Sequence, residues 1–335
     1  MSGTESRVAV IGTGGTIAHQ SRGRLDLVEY ADHGRIQSSA ELLALVPELA
    51  GVAEVVPVDF RELSSTKITP KDWLELGRVI TALEREDPSL SGIVVTHGTA
   101  SLEETAYFLN LTLRTAIPVV LVGAQRPADA MGTDALINLY DAVRVAASSD
   151  SRGMGVLVVM DQQIHAAREV TKSSTLRLDA FRSPEVGVLG EVGGDGRIEF
   201  YRSPRRAHTV ATEFDVEGLN DLPRVDITYS YAGADGTAID AFVAAGARAI
   251  VVATMAPGKP TPDEIAAGGR ARDCGVLMIA GCRAGSGRVP QRALLWEQGF
   301  VAADHLNPQK ARVLAALALT RWSQMSDIRR MFDKY

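Results

Sequence analysis

Short apolar runs alternate with amphipathic segments along most of the chain, and this alternation most restricts what it can fold into. Residues 8–12, 92–96, 118–123 and 155–160 are apolar runs of strand length. Between them lie segments with helical periodicity. Residues 40–49 read as a short helix, and Thr69-Pro70 opens a longer one, with Thr as cap and Pro at the first helical position. That helix places Trp73, Leu76, Ile80 and Leu83 on one face. Residues 103–114 and 133–147 follow, the latter with Leu136, Leu139, Tyr140 and Val143 on one face. Strands without polar alternation must be buried on both faces, so helices regularly placed between them imply a parallel sheet covered on both sides.

The pattern breaks at residues 190–223, which are polar, rich in glycine and charge, and carry only short β-like pieces. Alternation resumes with strands at 225–229, 249–254 and 276–280. Helices are expected at 237–245, from Thr261-Pro262 onward, and at 308–319. The expected architecture is therefore α/β with two domains: a larger N-terminal parallel-sheet domain over 1–200, a linker over 201–223, and a smaller α/β domain over 224–335.

Composition narrows the function. Net charge is −6 and the basic residues are scattered, which argues against a nucleic-acid partner. No stretch reaches the roughly 20 apolar residues of a membrane span, and the first residues lack the charged start and apolar core of a secretory signal. Two cysteines, Cys274 and Cys282, are too few for a disulfide framework and fit a reduced, cytoplasmic setting. The six histidines are dispersed, so no metal site is expected.

Ligands of open parallel sheets bind beyond the carboxyl ends of the strands, and three unusual segments follow strands. Gly12-Thr13-Gly14-Gly15-Thr16 allows close backbone approach. It lacks the third glycine of a dinucleotide loop, because residue 17 is Ile, and it lacks the Lys-Ser/Thr of a phosphate loop, so no nucleotide cofactor is expected. Its distinctive group is the Thr16 hydroxyl. Thr96-His97-Gly98-Thr99 offers a second hydroxyl; Ser101 and Glu104 beyond it have the spacing of a helix capping box. Arg168-Glu169-Val170-Thr171-Lys172 offers a lysine that burial would turn into a base.

Taken together, TGGTIA at 13–18, THGT at 96–99 with LEETAYFL at 102–109, and GAQRP at 123–127 resemble the bacterial-type asparaginase/glutaminase family. NLYDAV at 138–143, REVTK at 168–172, FRSP at 181–184 and GFVAADHLNPQKAR at 299–312 extend the resemblance over almost the whole chain. It implies a two-domain hydrolase without cofactor or metal, usually a homotetramer of intimate dimers, acting on a small amide. It implies Thr16 as the nucleophile that forms an acyl-enzyme and Tyr30, in a mobile lid over 19–34, as the group that helps activate it. Thr99 would position or activate water with Lys172 as its partner. Ser65 would contact the substrate carboxylate, Thr66 and Gly98 stand at further substrate positions, and backbone amides near Thr99 and Ala124 would form the oxyanion hole.

The chain departs from the family pattern at defined places. Ala100 stands where an Asp usually binds the substrate α-ammonium, and Thr66 stands where a Gln helps. The small-domain turn reads Met255-Ala256-Pro257-Gly258-Lys259 rather than carrying an Asn. Arg292, with Glu297 nearby, occupies the region where some members supply a Glu to the neighbouring subunit's site. An ammonium buried without its carboxylate loses roughly 3–5 kcal/mol. The substrate expected on these grounds is an amide, imide, lactam or carbamate without an α-amino group, with Arg292 or Lys259 available to a carboxylate or carbonyl. The alternatives are an L-asparaginase/glutaminase and a non-catalytic ligand-binding protein on the same scaffold.

Overall fold

The computed structural model describes residues 6–335, and these part into two compact units between Glu213 and Phe214. The first unit is built on an eight-stranded sheet. Its strands are β1 (Arg7–Gly14), β2 (Glu54–Leu63), β3 (Leu90–Thr96), β4 (Val119–Val122), β5 (Val156–Met160), β6 (Gln163–Ala166), β7 (Gly190–Val192) and β8 (Ile198–Phe200). They run in the spatial order β8-β7-β6-β5-β4-β3-β1-β2. The five strands β5-β4-β3-β1-β2 are parallel. These five are the expected parallel sheet, and at one edge β6, β7 and β8 extend it antiparallel. Polar and glycine-rich pieces suffice there because an edge segment needs only short pairing, not burial on both faces.

The helices of this unit are α1 (Tyr30–His33), α2 (Ser39–Ala44), α3 (Pro70–Glu86), α4 (Leu102–Thr112) and α5 (Ala135–Ala147). Val8, Val10, Val94, Val120 and Val122 point to one face of the sheet and share a core with Leu42 of α2 and with Leu139 and Val143 of α5. Successive strand residues face opposite ways, so Ala9, Ile11, Val95 and Leu121, also fully buried, fill the other face. Trp73 of α3 stacks on Phe108 of α4 with ring centroids 5.5 Å apart. The helix expected over 40–49 is two pieces, because Pro47 cannot continue an α-helix; a 3₁₀ turn, Pro47–Gly51, follows α2. α3 starts as expected, with the Thr69 hydroxyl and N–H both donating to the Asp72 carboxylate at 2.6 and 2.8 Å.

The second unit has a four-stranded parallel sheet in the order β9 (Val225–Tyr229), β10 (Ala249–Thr254), β11 (Leu277–Cys282), β12 (Phe300–Ala302). Its helices are α6 (Thr237–Ala244), α7 (Pro262–Asp273), α8 (Ala293–Glu297), α9 (Pro308–Ala318) and α10 (Met325–Lys334). Thr261 caps α7 in a reciprocal box: its hydroxyl accepts from the Glu264 N–H at 3.1 Å and its N–H donates to the Glu264 carboxylate at 2.8 Å.

Candidate active site

After β1 the chain crosses to β2 on one side, and β3 then lies on the other, so the strand order reverses at β1 and β3. Such a switch point leaves a crevice beyond the strand ends, and the first two hydroxyl segments meet there. The Thr13 hydroxyl donates to the Thr96 carbonyl at 2.8 Å and ties the two strand ends together. Gly15 has φ +83, and a Cβ on it would sit 2.3 Å from the Gly98 Cα. The two turns therefore touch through bare backbone, which only glycine permits. Ser65 completes the cluster. Its hydroxyl accepts from the Ala100 N–H at 3.3 Å, and its carbonyl accepts from the Ser101 hydroxyl at 2.7 Å. The expected Ser101–Glu104 capping box is corrected here: the Ser101 side chain makes no cap and spends its proton on Ser65 instead.

Thr16, half-buried, lies 2.7 Å from the Tyr30 hydroxyl. Tyr30 opens α1, inside the segment expected as a lid. That segment is fastened at its base by antiparallel pairing of His19 and Gln20 with Ile36 and Arg35. The Ser21 N–H donates to the Asp129 carboxylate at 2.9 Å, and the Tyr30 ring meets the His19 ring edge-on at 5.4 Å.

Lys172 reaches the same region by a route the sequence reading did not foresee. β6 intervenes after β5, so the lysine does not follow a parallel strand directly. It sits on a two-residue strand, Thr171–Lys172, paired with Phe181–Arg182. From there its Nζ donates to the Thr99 hydroxyl at 2.7 Å. Burial lowers the Lys172 amine below its usual range. The buried carboxylate of Glu103 accepts from the Lys172 N–H at 3.4 Å and the Thr171 hydroxyl at 3.3 Å, so it holds this short strand in place. Two threonine hydroxyls thus each lie within hydrogen-bond reach of a group that can exchange a proton with them, which is what nucleophilic catalysis by a weak nucleophile requires.

The remaining expected residues fall as follows. Thr66 is exposed, and its hydroxyl pairs with that of Ser64 at 2.9 Å. Ala100 is exposed and brings no charge. Ala124 is fully buried beyond β4. Arg292 belongs to the second unit, where its guanidinium donates to the Gly258 carbonyl at 2.9 Å; the Lys259 N–H of the same turn donates to the Met255 carbonyl at 2.7 Å. Among the described residues no cluster of three or more His, Cys, Asp or Glu has metal-binding geometry, and no helix is long and apolar enough to cross a membrane.

Sequence reasoning left His97 without a role and passed over Asp134 and Asn138. His97 is completely buried, and burial pushes its pKa down to about 4. The Asp134 carboxylate accepts from the N–H groups of Gln125 and Arg126 at 2.9 and 3.0 Å and pins the turn after Ala124. A histidine beside a glycine, or an Asp at a helix start, carries no periodic signal that would expose such contacts.

Comparison with known proteins places this geometry. The family model "Asparaginase, N-terminal" matches residues 7–206, and "Glutaminase/Asparaginase C-terminal domain" matches residues 224–332. The glutaminase-asparaginase of Pseudomonas fluorescens biotype A is 38% identical over 98% of this chain and 91% of its own. L-asparaginase 2 of Bacillus subtilis (strain 168) is 39% identical over 98% of this chain and 86% of its own. The crystal structure of a probable cytoplasmic L-asparaginase from Campylobacter jejuni superposes with a TM-score of 0.94 at 37% identity, covering 99% of this chain and all of that one. The chain belongs to the asparaginase family of amidohydrolases.

Proposed function

We propose that the protein hydrolyses the side-chain amide of a small amino acid, L-asparagine or L-glutamine, through a threonine acyl-enzyme, cleaving a non-peptide C–N bond. The observation that carries this reading is the pair of activated hydroxyls, Thr16 with Tyr30 and Thr99 with Lys172, each 2.7 Å apart. Thr16 attacks the amide carbonyl, its proton passes through the Tyr30 hydroxyl to the amide nitrogen, and the C–N bond breaks to release ammonia and leave an ester on Thr16. Water aided by Thr99 and Lys172 then releases the acid. Backbone N–H groups at Thr99 and Ala124 bind the oxyanion, Ser65 contacts the substrate carboxylate, and Gly98 stands at a further substrate position. The names of the relatives favour this substrate over the des-amino amide that the departures at residues 66, 100 and 292 suggest. We further propose a cytoplasmic homotetramer of intimate dimers, in which Arg292 or Lys259 contacts a substrate carboxylate or carbonyl.

A second reading keeps the chemistry and changes the substrate. Ala100 leaves this position without a carboxylate, and the Thr66 hydroxyl is already engaged by Ser64. Both facts favour an amide without an α-amino group. Ammonia release from L-asparagine, L-glutamine, succinamate and simple aliphatic amides separates the readings. Higher kcat/KM for the two amino acids supports the first, and higher values for the des-amino amides support the second. Thr16→Ala should abolish release of ammonia from every substrate while the fold is kept; residual turnover within about tenfold of the parent would refute the nucleophile assignment.

A further inference from the structure

Two buried side chains grip two glycine carbonyls beside the site, and neither takes part in bond-breaking. The His97 Nδ1 lies 2.8 Å from the Gly98 carbonyl oxygen, and its Nε2 lies 2.9 Å from the Thr105 hydroxyl. The Asn138 Nδ2 donates to the Gly123 carbonyl at 3.1 Å. The two turns adjoin: a Cβ on Gly123 would lie 2.8 Å from the His97 carbonyl oxygen and 2.9 Å from the Thr99 Cγ2.

The proton positions follow from valence. A carbonyl oxygen only accepts, so the His97 Nδ1 must carry the hydrogen that faces Gly98. The ring is fully buried and neutral, so it has one N–H and Nε2 must accept. The Thr105 hydroxyl therefore donates to Nε2. Its oxygen receives the Trp73 indole N–H at 2.9 Å, a group that can only donate. One relay, Trp73 to Thr105 to His97 to Gly98, thus fixes a single tautomer. For Asn138, the Asp161 N–H donates to Oδ1 at 3.1 Å and the Asp134 carboxylate accepts from Nδ2 at 3.1 Å, which settles the amide's orientation.

In a planar trans peptide the C=O and the following N–H point opposite ways. Holding the Gly98 carbonyl toward His97 turns the Thr99 N–H away from it, and holding the Gly123 carbonyl toward Asn138 does the same for the Ala124 N–H. Among the described residues, neither N–H donates to another group of the chain. We infer that His97, locked by Thr105, and Asn138 are positioning residues that aim the Thr99 and Ala124 amides at the oxyanion of the acyl-transfer step. The inference rests on the hydrolytic function proposed above. It gives THGT a reason for its histidine that is neither general base nor metal ligand.

Thr105→Val removes the hydroxyl that holds Nε2 while keeping the shape of the side chain, and Thr105→Ser restores it. Removing one oxyanion donor outright costs about 10²–10³ in kcat, and misaiming it should cost part of that. We expect kcat to fall about 10- to 100-fold in Thr105→Val with KM within about threefold of the parent, and to recover in Thr105→Ser. In ¹⁵N-edited NMR, His97 should show the Nδ1–H tautomer in the parent and in Thr105→Ser, and a mixed or inverted pattern in Thr105→Val. Thr105→Val that melts as a folded protein with parental kcat, or a parental His97 carrying its proton on Nε2, overturns the inference and leaves the hydrolytic reading standing. A parent that hydrolyses none of the amides above removes that reading, and the oxyanion role falls with it.

Discussion

Thr16 and Thr99 are chemically the same residue, and their neighbours separate their roles. Tyr30 offers Thr16 a phenol on a segment fastened at its base, whereas Lys172 offers Thr99 an amine whose proton affinity burial has reduced. A general base must be deprotonated to act, and the Lys172 amine loses its proton below the usual lysine range. Activity that depends on it should therefore rise with pH and level off below about pH 10.4, the pKa of a free lysine. Lys172→Arg keeps a permanent cation, so the rising limb should vanish and kcat should fall about 10²- to 10⁴-fold, the usual worth of a positioned base. The pH profiles of kcat for parent and variant check this. A variant that keeps the rising limb would show that another group carries the titration.

At the scale of elements, the site consists of turns that glycine allows to touch. Gly15→Ala would bring a methyl group to 2.3 Å from the Gly98 Cα, and no rotamer relieves a clash between two backbones. Its backbone, φ 83 and ψ 177, lies in a region essentially restricted to glycine, which adds about 1–3 kcal/mol for an L side chain. We expect Gly15→Ala to lose activity and to be destabilised by more than about 2 kcal/mol, read from denaturant unfolding of the first unit. The buried strands and the helices between them were legible in the sequence because each carries an uninterrupted apolar run or a 3.6-residue period. β2 was not legible, since as an edge strand it mixes Pro57, Asp59, Arg61 and Glu62 with half-buried valines. The short strand bearing Lys172 was missed as well, because two residues carry no period. Thr16, Thr99 and Lys172 were legible as candidates only through motifs. The pairing of Thr99 with Lys172 was legible only through the family resemblance and not from the strand pattern, because β6 reverses the chain between β5 and the lysine. Ser101 misled because its spacing to Glu104 fits a cap, while the nearby Ser65 carbonyl offers its hydroxyl a better-placed acceptor.

At the scale of the whole molecule, the first unit buries two titrating groups that oppose each other. His97 is held neutral by burial, with a pKa near 4 against 6.5 when unfolded. Its contribution to stability is complete above pH 6.5 and is lost as pH falls toward 4, by about 3 kcal/mol at 1.36 kcal/mol per unit. Asp141 of α5 is buried as well, and its Oδ2 has no hydrogen-bond partner among the described residues. Burial pushes its pKa up to about 6 against the attraction of Arg144, 3.9 Å away. It therefore acts in the opposite direction: the folded state is penalised as pH rises from about 4 to 6, again by about 3 kcal/mol at most. Between pH 4 and 6.5 the two effects nearly cancel, so the first unit of the parent should owe little net pH dependence to this pair. Asp141→Asn removes one side of the balance. Relative to the parent, the variant should lose about 3 kcal/mol between pH 7 and pH 4, whatever its absolute stability at either, because the cost of an unpaired amide is common to both conditions. Two units need not unfold together, so the comparison belongs to the transition assigned to residues 6–213 by hydrogen exchange. Parallel pH–stability curves for parent and Asp141→Asn would show that Asp141 titrates normally in the folded protein, and the acid sensitivity of His97 would then stand unopposed in the parent.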